Sequence, residues 1–256
     1  MSKTNMPLLT IPAKELGQIL LKNFCPRCFW FTRKFPLNSQ HPYSSPMAGI
    51  VSIADKYIKR VVRGHIKKYG NLPFWLLTQL NDLYSRFDFQ NTRHIKPGRW
   101  EISLFNNSCI LKGEADDIFE FLDGSWFIVD YKLASFTEAQ KDRLSQYEAQ
   151  LNTYAYLAQK LYRKSIIGLA LIYFEPEYKE TELKDEQILH RTKEQFMWGF
   201  RCTIFPIEIK GSEWIESLCK KMYQILSLET PPEGNPDCQG CKVLFDWWNE
   251  ISKHLF

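Results

Sequence analysis

The side chains best suited to chemistry lie in residues 113–132, which read GEADDIFEFLDGSWFIVDYK. Asp123 and Gly124 separate two strand-like runs, and this dipeptide favours a tight hairpin between strands. Asp116 lies at the start of the first run and Asp130 lies near the end of the second. A hairpin would therefore bring the two carboxylates close together. Two such carboxylates repel each other unless a cation bridges them, and Mg²⁺ or Mn²⁺ prefers oxygen ligands of this kind. The pair predicts a divalent metal site.

Lys132 follows Asp130 by two residues. Because side chains alternate along a strand, both are expected on the same face of the sheet. A metal with an ammonium group beside it suits phosphodiester hydrolysis, in which the lysine orients the nucleophile or stabilises the developing anion. A lone Asp-x-Lys at a strand end is common and usually has no catalytic role. The preceding hairpin strand with Asp116 is what favours the catalytic interpretation.

A predicted helix over residues 143–162 carries Gln146, Gln150 and Tyr154 at intervals of four residues, on one helical face. If that face turns toward the strand ends, an amide and a phenol could position substrate or a metal-bound water. On composition alone, glutamines on a helix are usually exposed to solvent, and that alternative stays open.

Four of the seven cysteines form two C-x-x-C pairs, Cys25 with Cys28 and Cys238 with Cys241. This spacing allows both sulfur atoms of a pair to bind one metal. Both pairs are predicted in loops, so together they indicate one four-cysteine site that clasps the two ends of the chain together. Free thiols are the alternative. Thiol redox chemistry would need a helix N-terminus beside a βαβ unit, a context predicted for neither pair. Three cysteines are predicted to lie in the core: Cys109, Cys202 and Cys219.

Short strands and helices alternate in the second half of the sequence. Strand-like runs are predicted at residues 100–104, 108–111, 115–122, 126–132, 166–174 and 200–209. Helices are predicted at residues 10–22, 50–69, 76–87, 143–162 and 213–228. Strands grouped in the middle and followed by helix, strand, strand and helix predict an α/β fold with a mixed sheet.

Composition is that of a globular protein of 256 residues, with 45% hydrophobic and 24% charged side chains. The net charge of +4 is compatible with a nucleic-acid partner. The basic residues within 56–68 form either a solvated helix face or a phosphate-binding surface. Aromatic residues, at 15%, either fill the core or include some that stack on bases. With no signal peptide and no run long enough to span a bilayer, we expect a cytoplasmic protein without a membrane partner.

The order of the motifs G-E-A-D, D-Y-K and Q-L-N-T-Y-A-Y-L resembles the RecB-like branch of the PD-(D/E)XK nucleases. That branch carries G-x-x-D, (D/E)-x-K and Q-x-x-x-Y in this order. The matching residues are Gly113, Asp116, Asp130, Lys132, Gln150 and Tyr154. The string F-C-P-R-C-F-W-F at residues 24–31 also resembles a C-P-R-x-F/Y string near the start of many members. The resemblance covers residues 8–241, and its specificity lies in the four motifs occurring in order.

The resemblance implies a restriction-endonuclease-like PD-(D/E)XK core, with a mixed central sheet flanked by helices and a helical insertion near the N-terminus. One domain, residues 1–256, would hold a helical lobe at about 50–95 and a catalytic core at about 100–210. Asp116 and Asp130 would bind Mg²⁺ or Mn²⁺, and Lys132 would assist the attack. Two further residues would complete the catalytic site, Gln150 and Tyr154.

Two features depart from the family pattern. Many relatives have a metal-binding histidine within G-x-x-x-H, whereas this chain has His65 directly after Gly64. His65 is therefore only a candidate ligand. Several RecB-like nucleases hold a [4Fe–4S] cluster with one cysteine before the core and three after it, whereas the split here is two and two. We expect a [4Fe–4S] cluster at the four cysteines, with Zn²⁺ as the alternative.

The activity implied is metal-dependent hydrolysis of DNA, single-stranded or at ends, in repair, recombination or defence. No helicase motif is present, so a helicase would be a separate, unspecified partner chain. The alternative is a catalytically weak accessory protein of the same fold that binds nucleic acid and is stabilised by its iron–sulfur or zinc site. The unusual position of His65 favours this alternative.

Overall fold

The computed structural model describes residues 8–35, 49–135, 137–176, 189–192, 195–197 and 199–255. The helices are α1 (Ala13–Leu16), α2 (Pro26–Lys34), α3 (Gly49–Tyr69), α4 (Phe74–Leu83), α5 (Glu138–Lys141), α6 (Leu144–Tyr162), α7 (Ser212–Leu226) and α8 (Gln239–Leu255). The strands are β1 (Leu9–Pro12), β2 (Arg93–Ile95), β3 (Trp100–Leu104), β4 (Cys109–Gly113), β5 (Asp117–Glu120), β6 (Trp126–Leu133), β7 (Ile166–Pro176), β8 (Leu189–Thr192), β9 (Gln195–Met197) and β10 (Phe200–Ile207). Short 3₁₀ helices occupy Gly17–Leu20 and Phe89–Asn91.

The main sheet has five strands in the order β10-β7-β6-β5-β2. β6 and β7 are parallel, while the other three neighbouring pairs are antiparallel. The parallel pair needs a crossover connection, which α6 provides. β6 is covered on both faces, which explains its almost continuous apolar sequence. The predicted α/β fold with a mixed sheet flanked by helices is confirmed.

A second sheet has the order β1-β4-β3. Its edge strand β1 corrects the prediction of a helix over residues 10–22, since Leu9–Pro12 pairs in parallel with Cys109–Lys112. The helix that follows starts only at Ala13. β-branched Thr10 and Ile11 favour an extended strand, and the partner strand lies far away in the sequence.

Helices pack on both faces of the main sheet. One core contains α6 and α7 residues such as Leu151 and Leu218, together with Ile128 of β6. The other contains Val62 of α3 and Leu76 of α4, together with Val129 of β6. Successive residues of β6 therefore enter opposite cores, as strand geometry requires. The helices of the predicted lobe at 50–95 pack directly on the sheet.

Two helices begin where loops are predicted. Cys25 is the N-cap of α2, whose first residue is Pro26, a residue favoured at that position. α8 begins at Gln239 and so includes the second cysteine of the C-terminal pair. Both cysteine pairs therefore lie at helix N-termini rather than in loops. Among the described helices, none has the length and apolar character needed to cross a membrane.

Candidate active site and metal centre

The hairpin β5–β6 brings the two predicted carboxylates together. Asp117 pairs with Val129 in this antiparallel hairpin, so continuing the register by one residue places Asp116 opposite Asp130. Asp116 Oδ2 also accepts a hydrogen bond of 2.8 Å from the backbone N–H of Tyr131. The Asp-Gly turn thus fixes both acids at one end of the hairpin.

The two carboxylates influence each other electrostatically. Burial, followed by the negative charge of Asp130, raises the pKa of Asp116 from its ordinary value of 3.8 to about 6. This rise persists although the Lys59 ammonium lies 2.7 Å from Asp116 Oδ1. Burial alone would lower the pKa of Lys59, but the charge of Asp116 raises it, so Lys59 stays protonated. An acid pair of this kind favours a cation between its members.

Lys132 lies beside Asp130, on the same face of β6, as strand alternation predicts. Its Nζ is 2.5 Å from Asp130 Oδ2, as an ion pair without the alignment of a hydrogen bond. The same Nζ donates to Gln150 Oε1 at 3.2 Å and lies 4.4 Å from the centre of the Tyr147 ring. The ammonium is therefore held between a carboxylate, an amide oxygen and an aromatic face.

Gln150 connects the lysine, the acid and the tyrosine. Its Nε2 donates to Asp130 Oδ1 at 3.0 Å and to Tyr154 Oη at 2.6 Å. Both Gln150 and Tyr154 are buried, so the solvent-exposed alternative for Gln150 is wrong. Burial, together with the charges of Asp130 and Asp116, raises the pKa of Tyr154 well above its usual range. The phenol therefore stays neutral at physiological pH.

Gly113 has a steric reason to be glycine. A Cβ at this position would lie 2.9 Å from Tyr154 Cε1 and 3.1 Å from Ala13 Cβ. The ring of Tyr154 can therefore lie against β4 only because residue 113 lacks a side chain. The predicted helical face, in contrast, is only partly in the site, since Gln146 Nε2 donates to the carbonyl of Lys14 at 3.1 Å.

The sequence profile of one family, described as the PD-(D/E)XK nuclease superfamily, matches residues 40–244. This range includes the acidic pair, Lys132, Gln150 and Tyr154. The chain belongs to the PD-(D/E)XK nuclease superfamily. Proteins of this superfamily are generally nucleases, which supports a nuclease-like function and a nucleic-acid substrate for this chain.

One solved structure that matches this chain is described as "Crystal structure of SSO0001". It shares 14% sequence identity with this PD-(D/E)XK protein, at a TM-score of 0.40. The alignment covers 87% of this chain and 79% of that chain. No curated protein matches this sequence.

The candidate ligand His65 lies on α3, with its ring centre 4.6 Å from that of Tyr69. It does not form a group with Asp116 and Asp130 in which all ligand atoms lie within 4.8 Å of one another. α3 instead presents Lys59 to Asp116, and Asp55 binds the same Lys59 at 3.0 Å. Ligation by His65 stays a prediction without support from these contacts.

A buried ionic network beside the acids was not predicted. Asp117 is completely buried, and its Oδ1 lies 2.8 Å from Arg63 Nε and 2.7 Å from His94 Nε2. Arg63 Nη2 also donates to the backbone carbonyl of Asp116 at 2.7 Å. The network fixes the backbone of Asp116 from the α3 side. The only signal in the sequence was that Lys59 and Arg63 stand four residues apart in a basic segment.

The four predicted cysteines converge at one place near the surface. Among the described residues, they are the only group of three or more His, Cys, Asp or Glu whose ligand atoms all lie within 4.8 Å of one another. Cys28 Sγ lies 3.5 Å from Cys238 Sγ and 3.4 Å from Cys241 Sγ. Cys25 Sγ lies 3.5 Å from Cys241 Sγ. The cluster could hold a metal and joins α2 to α8 across the molecule.

The environment of Cys25 stabilises a thiolate. Burial would raise its pKa, but hydrogen bonds from backbone N–H groups, one of them Asn235 N at 3.3 Å, lower it to about 6. The neighbouring Cys28 has its pKa raised by burial and by the other cysteines. The first proton is thus lost most easily from Cys25, and a bound cation would favour the loss of the protons of the other three thiols. Cys109 and Cys219 are buried in the core as predicted, while Cys202 is half-buried.

Proposed function

We propose that this chain is a metal-dependent nuclease that hydrolyses DNA phosphodiester bonds. The observation that carries this proposal is the pair Asp116 and Asp130, with Lys132 in contact with the second acid. The membership of the PD-(D/E)XK superfamily supports the same reaction class.

The residues present fit Mg²⁺ or Mn²⁺. Two carboxylates with an elevated pKa at one of them are a donor set of hard oxygen atoms, which these ions prefer. When bound, the metal would polarise the scissile phosphate and lower the pKa of the attacking water. Asp116 and Asp130 would hold it.

Lys132 would stabilise the charge that develops on the phosphate or orient the attacking water. Its position is fixed in advance by Asp130, Gln150 and the Tyr147 ring, so little reorganisation is needed during reaction. Gln150 Nε2 would hold Asp130 in the orientation required for binding. The bond from Gln150 uses the oxygen of Tyr154 as acceptor, so the phenol hydrogen stays available for donation toward substrate.

Cations on both sides of the acid pair support a polyanionic substrate. A cavity of about 280 Å³ lies beside Gln150 and Tyr154 and includes Lys14, Arg99 and Lys112 in its lining. A second cavity, of about 450 Å³, is lined by cations of α3: Lys56, Lys59, Arg60, Arg63 and Lys67. Lys59 connects this second cavity to Asp116. A nucleic-acid backbone passing over the acids would therefore meet positive charge before and after the cleavage point.

Cleavage of labelled single-stranded DNA, duplex DNA and RNA in Mn²⁺ or Mg²⁺ would test the proposal. We expect the wild type to cleave DNA, EDTA to abolish cleavage, and Asp130→Asn to reduce the rate at least a hundredfold. Asp142→Asn is the matched control because this acid is 72% exposed and, among the described residues, forms an ion pair with exposed Lys22 alone. Equal cleavage by Asp130→Asn and the wild type, both folded by circular dichroism, would contradict the assignment.

The second candidate is an accessory protein that binds nucleic acid without cutting it, favoured by the position of His65 against Tyr69. Such a protein would bind DNA but would give no metal-dependent product in the cleavage assay with any variant.

We also propose that the four cysteines hold one tetrahedral Zn²⁺ rather than a [4Fe–4S] cluster. Four thiolates around one zinc, at about 2.3 Å each, lie roughly 3.8 Å from one another. In a cubane cluster each thiolate binds a different iron, which separates the sulfur atoms to roughly 6 Å. Three of the sulfur separations are 3.4 or 3.5 Å, and all four sulfur atoms lie within 4.8 Å of one another. These distances are nearer to the value for one zinc ion than to the value for a cubane cluster, which supports the single ion.

A further inference from the structure

An aromatic cavity lies beside the basic cavity of α3. It has a volume of about 390 Å³ and lies between α3, α4 and the ends of β7 and β10. Its lining includes Tyr57, Val61, Trp75, Phe174, Phe200 and Arg201. Tyr57 is 61% exposed, Phe200 is 40% exposed and Trp75 is 37% exposed. Three aromatic rings around one recess are thus partly exposed, and Tyr57 is the most exposed of them.

The wall of the cavity is built on rigid elements. Trp75 meets Phe174 edge to face with ring centres 5.7 Å apart, and Phe174 lies at the same distance from Tyr131. Gln79 Nε2 donates to the carbonyls of Trp75 and Cys202, each at 3.1 Å, which ties α4 to β10. Because Tyr131 directly follows Asp130, the wall is continuous with the strand that carries the acid.

The aromatic cavity and the basic cavity are on adjoining faces of α3. Each residue turns the helix by about 100°, so Tyr57 and Val61 follow Lys56 and Arg60 around its circumference. Ile58 lines the aromatic cavity, while the next residue, Lys59, binds Asp116. A strand whose phosphates follow the cations of α3 would therefore present its bases to the aromatic cavity close to the acids.

We propose that this cavity accepts one unpaired nucleobase of a single-stranded substrate, stacked on Tyr57 or Trp75. The proposal rests on the nuclease function for the neighbouring site and adds a strand preference to it. Alternation of a cationic path with aromatic rings is how proteins hold single strands without reading their sequence. Bases in a duplex are stacked on each other and cannot enter a recess of this kind. The adjoining cations favour a nucleic acid over an uncharged apolar partner.

Fluorescence anisotropy of a labelled oligothymidylate and of a blunt duplex, both in EDTA so that no cleavage occurs, would test the proposal. We expect Tyr57→Ala to weaken single-strand binding about five- to tenfold, at the low end of what one stacked base contributes, and to leave duplex binding unchanged. Tyr69→Ala is the matched control, since Tyr69 is on the same helix with 58% exposure and does not line the cavity. Tyr57→Phe keeps the ring and should bind as the wild type.

A second measurement tests whether the Tyr57 ring contacts a base of the bound strand. A series of oligonucleotides with one abasic site each should include a position that weakens binding by the wild type but not by Tyr57→Ala. An abasic effect of equal size in both proteins, or equal weakening of duplex and single strand by Tyr57→Ala, would overturn the proposal. Failure of the nuclease function would be seen separately, as absence of metal-dependent cleavage with single-strand binding intact.

Discussion

The pKa of Asp116 is set by opposing influences: burial and the like charge of Asp130 raise it, while the neighbouring lysine lowers it. The pKa of its carboxyl is raised to about 6 by burial and by Asp130, even with Lys59 at 2.7 Å. Without a divalent ion, ionised Asp116 therefore destabilises the folded protein. This conflict is what a metal ligand needs, because the bound cation removes it.

Replacing Asp116 with asparagine should therefore stabilise the metal-free protein at neutral pH. The folded state holds the proton of Asp116 more tightly than the unfolded chain does. Protonated Asp116 therefore contributes fully to the stability of the folded protein below about pH 4, and this contribution is lost as the pH rises through about 6. Asp116→Asn, which imitates the protonated form, should raise the free energy of unfolding by about 1–3 kcal/mol at pH 7.5, and by almost nothing at pH 4. Urea unfolding in EDTA at both pH values measures this difference.

Mn²⁺ should reverse the order, since only the wild type retains both ligands. The control Asp142→Asn should unfold like the wild type at each pH. A variant that is less stable than the wild type at pH 7.5 in EDTA would show that Asp116 is satisfied by Lys59 and Tyr131 alone.

At the level of elements, the site depends on how closely α6 approaches β4. Gly113 permits this approach because the Tyr154 ring occupies the space of a side chain. Gly113→Ala should displace Tyr154 and with it the hydrogen bond to Gln150. We expect the free energy of unfolding to fall by about 1–3 kcal/mol and cleavage to fall at least tenfold. Denaturant unfolding and initial cleavage rates would check both expectations.

Gly98→Ala is the control for this prediction, because a Cβ there meets nothing within 4 Å. It should leave both the stability and the rate within a small factor of the wild-type values. If Gly113→Ala behaves like Gly98→Ala, the ring of Tyr154 does not depend on contact with β4.

Elements with local signals were predictable, and those with distant partners were not. The β5–β6 hairpin follows from Asp123-Gly124 and from alternation, so the acid pair and Lys132 could be placed from sequence. β1 could not, because its partner Cys109–Lys112 lies about a hundred residues away and supplies the hydrogen bonds that favour a strand. Contacts between elements, such as Lys59 with Asp116, depend on packing that periodicity does not encode.

At the level of the whole molecule, the cysteine cluster joins α2 to the start of α8. Cys28 and Cys238 are 210 residues apart in the sequence, so one bound ion closes almost the entire chain into a loop. Cross-links that close long loops reduce the entropy of the unfolded chain most. A metal at this position should therefore contribute to global stability, while the acids that would hold the catalytic ion lie on a different part of the fold.

We expect purified protein to contain about one zinc per chain and to be colourless. Cys25→Ser should lose the zinc and lower the melting temperature by roughly 5–15 °C, whereas Cys202→Ala, outside the cluster, should retain the zinc. Elemental analysis, absorption spectroscopy and thermal melting measure these outcomes. Iron with sulfide, and a visible absorption band lost in Cys25→Ser, would show that a cluster occupies the site.

If the two proposed metal centres have separate roles, mutations should affect cleavage and stability independently of each other. Below its reduced melting temperature, Cys25→Ser should still cleave DNA in Mn²⁺, because Asp116, Asp130 and Lys132 are held by the hairpin and α6 rather than by the cysteines. Asp130→Asn should show the reverse, with full zinc content and a high melting temperature but a cleavage rate at least a hundredfold below that of the wild type. Loss of cleavage in folded Cys25→Ser at low temperature would mean that the cluster supports the catalytic geometry directly.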